Sequence, residues 1–375
     1  MYIPLVQAAQ NDVRGLHNLD AITKRSITPL MDLCGQIEKS IFDFCQNWPD
    51  EHSFFVDTSP IGIALSTAPN TKQEKNLIID QHLDDPSNGF ITRRTFYSDL
   101  KAIHNSLIPA VSWEGVQASR RDVLRFALEL LNDFEKIAIR VCLWDDRSNH
   151  SQNLDYTKAI LDTVDDQSKV WLLIDQGPLQ QQNELTTSSK INDYLRVIDT
   201  VQLSGWSVIS TSFPDRRPDS ETSQNRSSID YAAQSLLSTT NTQSIRAYGD
   251  YASSALGSAT GFVMGMHIIP FASYLKDFEW WLSRKGGNMD YYKYIELAKD
   301  ITNLPQFQGA SFCWANENYD RISKISDVKD KGYGNNGTWN GYRLNQHITE
   351  IIRSMGIYGF PATFSSPQSE EEDDS

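Results

Sequence analysis

The strongest constraint on this chain is a rhythm. Short β-branched or apolar runs recur at residues 3–6, 28–33, 54–57, 108–113, 137–144, 170–175, 207–213 and 245–251. Several are continuously apolar rather than alternating, as in WLLID, which suits a strand covered on both faces of a parallel sheet. Parallel neighbours need crossovers, and the intervening segments supply them. Residues 12–24 carry Val13, Leu16, Leu19 and Ile22 at near-helical spacing, and residues 116–134 carry Val123, Leu124, Ala127, Leu128 and Leu131. Ser119 with Asp122 three residues on predicts an N-terminal cap for the second. Similar patterns occupy 36–48, 93–105, 154–164, 191–203 and 229–237.

A βα unit repeated eight times within about 260 residues predicts a (β/α)8 TIM-barrel-like α/β domain over residues 1–260. An open doubly wound sheet would want a glycine-rich first turn, whereas this one reads QAAQND. After residue 260 the rhythm changes. The aromatic DFEWWLSRKG, a helix-like DYYKYIELAKDI, a strand-like ASFCWA and a helix NQHITEIIRSMG closed by Gly356 predict a C-terminal α+β extension, residues 261–362, packed on the barrel. Two polar stretches cannot bury enough apolar surface to fold: residues 214–228 and the acidic tail, residues 363–375.

Hydrophobic residues at 39% and a mean hydropathy of −0.45, with no uncharged 18-residue apolar run, predict a globular protein without a membrane span. The 34 basic and 48 acidic residues leave −14, which disfavours broad adhesion to nucleic acid or anionic membranes. Cys34, Cys45, Cys142 and Cys313 form no CxxC pair and read as buried thiols. The N-terminus lacks the basic and apolar regions of a signal peptide, so the expected compartment is the cytoplasm.

In a barrel the polar residue ending each strand faces one shared rim. Here that set is acidic: Asp32, Asp57, Glu114, Asp145, Asp146, Asp175 and Asp250. Carboxylates gathered in a low-dielectric cleft split their pKa values, as acid and base catalysis requires, and they also suit a divalent cation. Asp57, Asp175 and Asp250 are the catalytic candidates, because each follows or interrupts a buried-type run. Arg140 or Arg246 is the expected partner if they instead form an internal ion-pair network. HExxH, Walker and GxSxG motifs do not occur, and the histidines have no metal-ligand spacing, so no metal ligand set and no cofactor is assigned. His347 follows Arg343 by one helical turn, after the glycine-rich GNNGTWNGY.

The order of several segments resembles the beta-protein family, named after a bacteriophage protein. They are YIPLVQAAQNDVRGLHNL with ITPLMDL, the LLIDQG strand, YGDY, IPFASYLKDFEWWLSRKG, SFCWANENYD and GNNGTWNGYRLNQHITEII. The resemblance covers nearly the whole chain and implies a barrel-like fold with a C-terminal extension. It carries over Asp175, Tyr248, Gly249, Asp250, Trp281, Arg284, Gly286, Trp314, Trp339, Arg343 and His347. Of these, Trp281, Arg284, Trp314, Trp339, Arg343 and His347 are the implied binding residues. Gln7 stands where a basic residue is expected, and ANEN replaces a Gly-Asp pair.

The resemblance implies a component of a bacterial anti-phage defence or phage–host conflict system. The expected role is a binding or sensor protein acting through the barrel rim and extension. Its expected partner is a protein of the same system or a phage component, with a small ligand at the rim. The alternative is a metal-assisted or acid/base hydrolase of phosphodiester or glycosidic bonds using the rim carboxylates. A third reading makes the acidic tail a nucleic-acid mimic.

Overall fold

The computed structural model describes residues 1–33, 38–58, 78, 81–144, 149–256 and 268–358. All eight predicted runs are strands: β1 (Tyr2–Gln7), β2 (Leu30–Leu33), β3 (Phe54–Thr58), β4 (Leu107–Val111), β5 (Ile137–Cys142), β6 (Val170–Pro178), β7 (Gly205–Thr211) and, after an intervening β8 (Thr222–Ser227), β9 (Ile245–Asp250). The eight pair in parallel and in chain order, and β9 closes the ring by pairing with β7 and β1. This is a (β/α)8 TIM-barrel-like fold.

Helices α1 (Gln10–His17), α2 (Ala21–Arg25), α3 (Glu38–Asn47), α4 (Ser87–Lys101), α5 (Arg120–Asp133), α6 (His150–Thr163), α7 (Glu184–Thr187), α8 (Ser189–Ile198) and α9 (Asp230–Ser235) provide the crossovers. The predicted helix over 12–24 is two helices, because Asp20 accepts the Thr23 N–H at 2.8 Å and restarts the chain as α2. Ser119 caps α5 as expected, accepting the Asp122 N–H at 3.2 Å.

Strand alternation sorts the side chains. On β6, Leu172 and Ile174 face outward into the core beneath the helices, whereas Trp171, Leu173 and Asp175 face into the barrel. Both faces are buried, so a one-residue slip costs little apolar burial; what it forfeits is the place of Asp175, which would leave Arg140 for the apolar layer beneath the helices. The barrel is filled from below by Ile3, Leu5, Leu30, Phe55, Ile108, Ala110, Ala138, Trp171, Leu173 and Ile209.

The extension begins with a hairpin, β10 (Phe271–Lys276) and β11 (Glu279–Arg284), turned by Asp277 and Phe278 at φ of 49° and 60°. Two left-handed residues fit the twist of a two-residue hairpin loop. Stacking of Phe278 on Tyr231, at 4.4 Å between centroids, holds that backbone in place. Thr222–Ser227, expected to be unstructured, is strand β8 and pairs antiparallel with β11. It buries almost nothing of its own; the free backbone edge of β11 supplies the pairing that apolar content would otherwise have to drive.

Helices α10 (Tyr294–Thr302), α11 (Trp314–Ser323) and α12 (Asn336–Tyr358) follow. The strand expected in ASFCWA is the lead-in and first turn of α11. The last helix starts at Asn336, within the glycine-rich stretch, and passes through Gly356 rather than stopping there. Gly341 lets α12 lie directly on α1, since a Cβ there would come within 2.6 Å of the Asn11 carbonyl oxygen. Asn345 then donates to the Gly15 carbonyl at 3.1 Å. Asp145, Asp146 and the tail 363–375 lie outside the described residues.

Candidate functional site

Four strand ends converge inside the barrel at its C-terminal mouth. Asp32 and Asp57 are register partners on β2 and β3, and Cys142 and Asp175 are partners on β5 and β6. Arg140, two residues before Cys142, therefore rises inside the ring among the carboxylates. Its Nη1 donates to Asp32 at 3.1 Å and to Asp57 at 3.2 Å, and its Nη2 donates to Asp175 at 2.7 Å. Arg140, Asp57 and Asp175 are buried to 1% exposure or less. Burial opposes the guanidinium's charge, but the surrounding anions outweigh it and raise its pKa well above the usual value.

The three carboxylates are not equally satisfied. Asp57 also accepts from the Ser112 hydroxyl at 2.5 Å and from the Thr58 N–H at 2.7 Å. Asp175 also accepts from the Tyr251 hydroxyl at 2.6 Å and from the Gly177 N–H at 3.2 Å. Gly177 sits at a bulge with φ of 73°, where a Cβ would strike Trp144 at 2.6 Å, so the turn that brings this N–H back to Asp175 requires glycine. Asp32 has only Arg140 as a side-chain partner among the described residues. Burial pushes its pKa up to about 6, against the opposing charge of Arg140. A carboxylate shifted in this direction takes up a proton more readily, which relieves the crowding of anions on one cation.

Asp250 does not join this group. On β9 the inward positions are Ala247, Gly249 and Tyr251, so Asp250 shares the outward parity of Tyr248. It accepts from the Tyr2 hydroxyl at 2.5 Å, the Tyr248 hydroxyl at 3.1 Å and the Ala252 N–H at 2.9 Å, and it pairs with His347 Nε2 at 2.8 Å. Burial would raise its pKa, but His347 and the hydrogen bonds hold it below the ordinary value. His347 reaches it from α12 and stacks on Trp280 at 5.1 Å, which joins the extension to the barrel. The grouping of Asp57, Asp175 and Asp250 at one mouth is corrected by this alternation. Arg246, the other expected carboxylate partner, donates to the carbonyls of Leu237 and Gln234.

Glu114 is buried and accepts the Cys142 N–H at 3.0 Å, and burial lifts its pKa to about 7. A cavity of about 20 Å³ adjoins the Arg140 cluster, bounded by Gln7, Asp12, Asp32, Tyr251, Ala255 and Leu344. That is room for one water. Asp12, in the first turn of α1, is the residue here that the sequence reading passed over. Burial raises its pKa to about 7, with the charge of Arg343 opposing. Its helical position hid it from a search of strand ends. Among the described residues no cluster of three or more His, Cys, Asp or Glu side chains has a metal-binding arrangement.

The implied binding residues divide by exposure. Trp339 is fully buried and stacks on Tyr294 at 4.3 Å, and Trp281 lies in the same extension core. His347 and Arg343 are also buried. Trp314 and Arg284 keep partial exposure. Trp314 borders a groove of about 550 Å³ with Asn18, Asp20, Phe312, Glu317 and Asn345, and carries the Arg14 guanidinium 5.4 Å above its ring. Among the described residues no helix is long and apolar enough to cross a membrane.

A closed eight-stranded parallel barrel, with an arginine-centred mouth and a hairpin-and-helix extension clasped to it, places this molecule among TIM-barrel-like α/β proteins. The chain belongs to the Beta protein family, whose profile matches residues 2–353. It is 24% identical over 373 residues to Protein beta of Enterobacteria phage P4, an alignment covering 96% of this chain and 95% of that protein.

Proposed function

We propose that this chain is a non-catalytic binding or sensor component of a phage–host conflict system, and that it engages a protein partner of that system or of the phage through the partly exposed part of its extension around Trp314. The observation that carries this reading is the use made of the barrel carboxylates. Asp32, Asp57 and Asp175 are committed to Arg140, and Asp250 to two tyrosines and His347. A paired-acid hydrolase needs one carboxylate free to give or take a proton at a bound substrate, and these are engaged inside the protein. Similarity to a phage protein supports the biological setting.

One observation favours the alternative hydrolase. Asp12 and Asp32 bound the same small cavity, and both have raised pKa values, about 7 and about 6. The test is phage plating on a host expressing the chain from its own locus. The binding reading expects Trp314→Ala to abolish the effect on plating without altering thermal stability, and Asp32→Asn to leave it intact. Loss of the effect in a fully folded Asp32→Asn protein, with Trp314→Ala unaffected, overturns the binding reading in favour of hydrolysis.

A further inference from the structure

Three arginines of the extension region have no ion-pair partner among the described residues. Arg343 on α12 is 6% exposed, yet only its Nη2 is used, donating to the Asn340 amide oxygen at 2.5 Å. Its Nε and Nη1 are buried without a hydrogen-bond partner among the described residues. Arg217 and Arg343 both lie over the ring of Phe271, at 4.2 and 4.9 Å from its centroid. Arg284 is the register partner of Phe271 across the hairpin. None of the three forms an ion pair among the described residues, whereas nearby Lys285 and Lys293 are paired with Asp300 and Glu296, each at 2.7 Å.

A guanidinium held away from water without a counter-charge is costly. Burial accordingly pulls the Arg343 pKa below its ordinary value. Asp12 is the carboxylate whose field reaches Arg343, but it makes no ion pair with it, and burial leaves Asp12 only partly ionised at neutral pH. The chain has 48 acidic residues against 34 basic ones, so carboxylates are not scarce. Among the described residues no carboxylate is ion-paired with this cluster, which leaves it open to an anion from outside.

We infer that Arg343, Arg217 and Arg284 form a binding site for the phosphate group of a small phosphorylated ligand. Guanidinium N–H groups make charge-assisted hydrogen bonds to phosphate oxygens, and Arg343 keeps two nitrogens on different edges of its fork, Nε and Nη1, without a partner among the described residues. Three cations call for more than the single charge of one carboxylate, and a phosphate monoester or anhydride carries about two near pH 7. Arg343 supplies a buried, fixed contact, and the exposed Arg217 and partly exposed Arg284 add charge on its solvent side. This inference goes beyond the partner-binding role proposed above and is tested independently of phage.

The experiment is calorimetric titration of the full chain with inorganic phosphate and with pyrophosphate at low ionic strength, alongside thermal unfolding with the same additions. Saturable binding of pyrophosphate and a rise in the unfolding midpoint are expected. Arg217→Ala and Arg284→Ala should each weaken binding about tenfold, the loss of one charge-assisted hydrogen bond. Lys329→Ala, an exposed lysine elsewhere, should bind as the parent does. Arg343→Gln should abolish binding; should that variant fail to fold, the two surface-accessible arginines carry the test. No heat and no midpoint shift in the parent protein, or equal affinity in the parent, Arg217→Ala and Arg284→Ala proteins, overturns the inference.

Discussion

Arg140 and Arg343 are both buried arginines, and the protein treats them in opposite ways. Arg140 stands among three aspartates drawn from three other strands. Among the described residues Arg343 has one neutral amide oxygen as hydrogen-bond partner and two nitrogens with none. The first charge is answered within the fold. The second is open. Desolvated charge is tolerated in a fold when an internal partner answers it, and an unanswered one points outward to a ligand.

The contrast is broken or sharpened most directly by removing each charge. Arg140→Met strands three buried carboxylates and should cost about 3–5 kcal/mol in denaturant unfolding. Arg343→Met removes an uncompensated charge and should be neutral or stabilising by up to about 2 kcal/mol. Equal destabilisation by the two would end the distinction. Within the barrel cluster, Asp175→Asn disturbs three hydrogen bonds and should cost about 2–4 kcal/mol, against less than about 1 kcal/mol for Asp32→Asn at neutral pH. Chemical denaturation ranks them, and a larger loss for Asp32 than for Asp175 would overturn that order.

The smallest effect is on pH dependence. Asp12, Asp32 and Glu114 have folded pKa values of about 7, 6 and 7, raised from 3.8, 3.8 and 4.5. Groups raised in this way favour the folded state below their unfolded pKa, and that contribution is lost as pH rises through the folded values. Asp250, shifted the other way, contributes above its unfolded pKa and loses that contribution as acid protonates it. The unfolding midpoint should therefore be higher near pH 5 than near pH 8 and fall again in stronger acid. Asp32→Asn should flatten the neutral-side slope, and an unchanged slope would remove Asp32 from the set.

The barrel was legible because both-face burial writes continuous apolar runs, and all eight runs are strands of the ring. That a strand arginine would answer Asp57 and Asp175 was legible too, but the sequence left Arg140 and Arg246 as equal candidates, and only the ring order puts Arg140 between them. The separation of Asp250 was written in the alternation of IRAYGD but needed the inward residue of β9 to be known. Strand β8 was not legible, since TSQNRS has neither alternation nor apolar content and pairs only because β11 offers an edge. The early start of α12 was hidden by glycines that signal a loop in isolation. In the fold those glycines permit contact with α1, a partner more than 300 residues away.

That distant contact bears on how the molecule is made. The ring closes where the first strand meets the ninth, and the clasp between Gly15 and Asn345 joins residues 330 positions apart. A nascent chain on the ribosome must therefore hold an unsealed sheet, with two bare edges, until β9 at Ile245–Asp250 has been synthesised. Slow closure of this kind, which waits on a partner strand more than 240 residues away, favours assembly under a chaperone's protection.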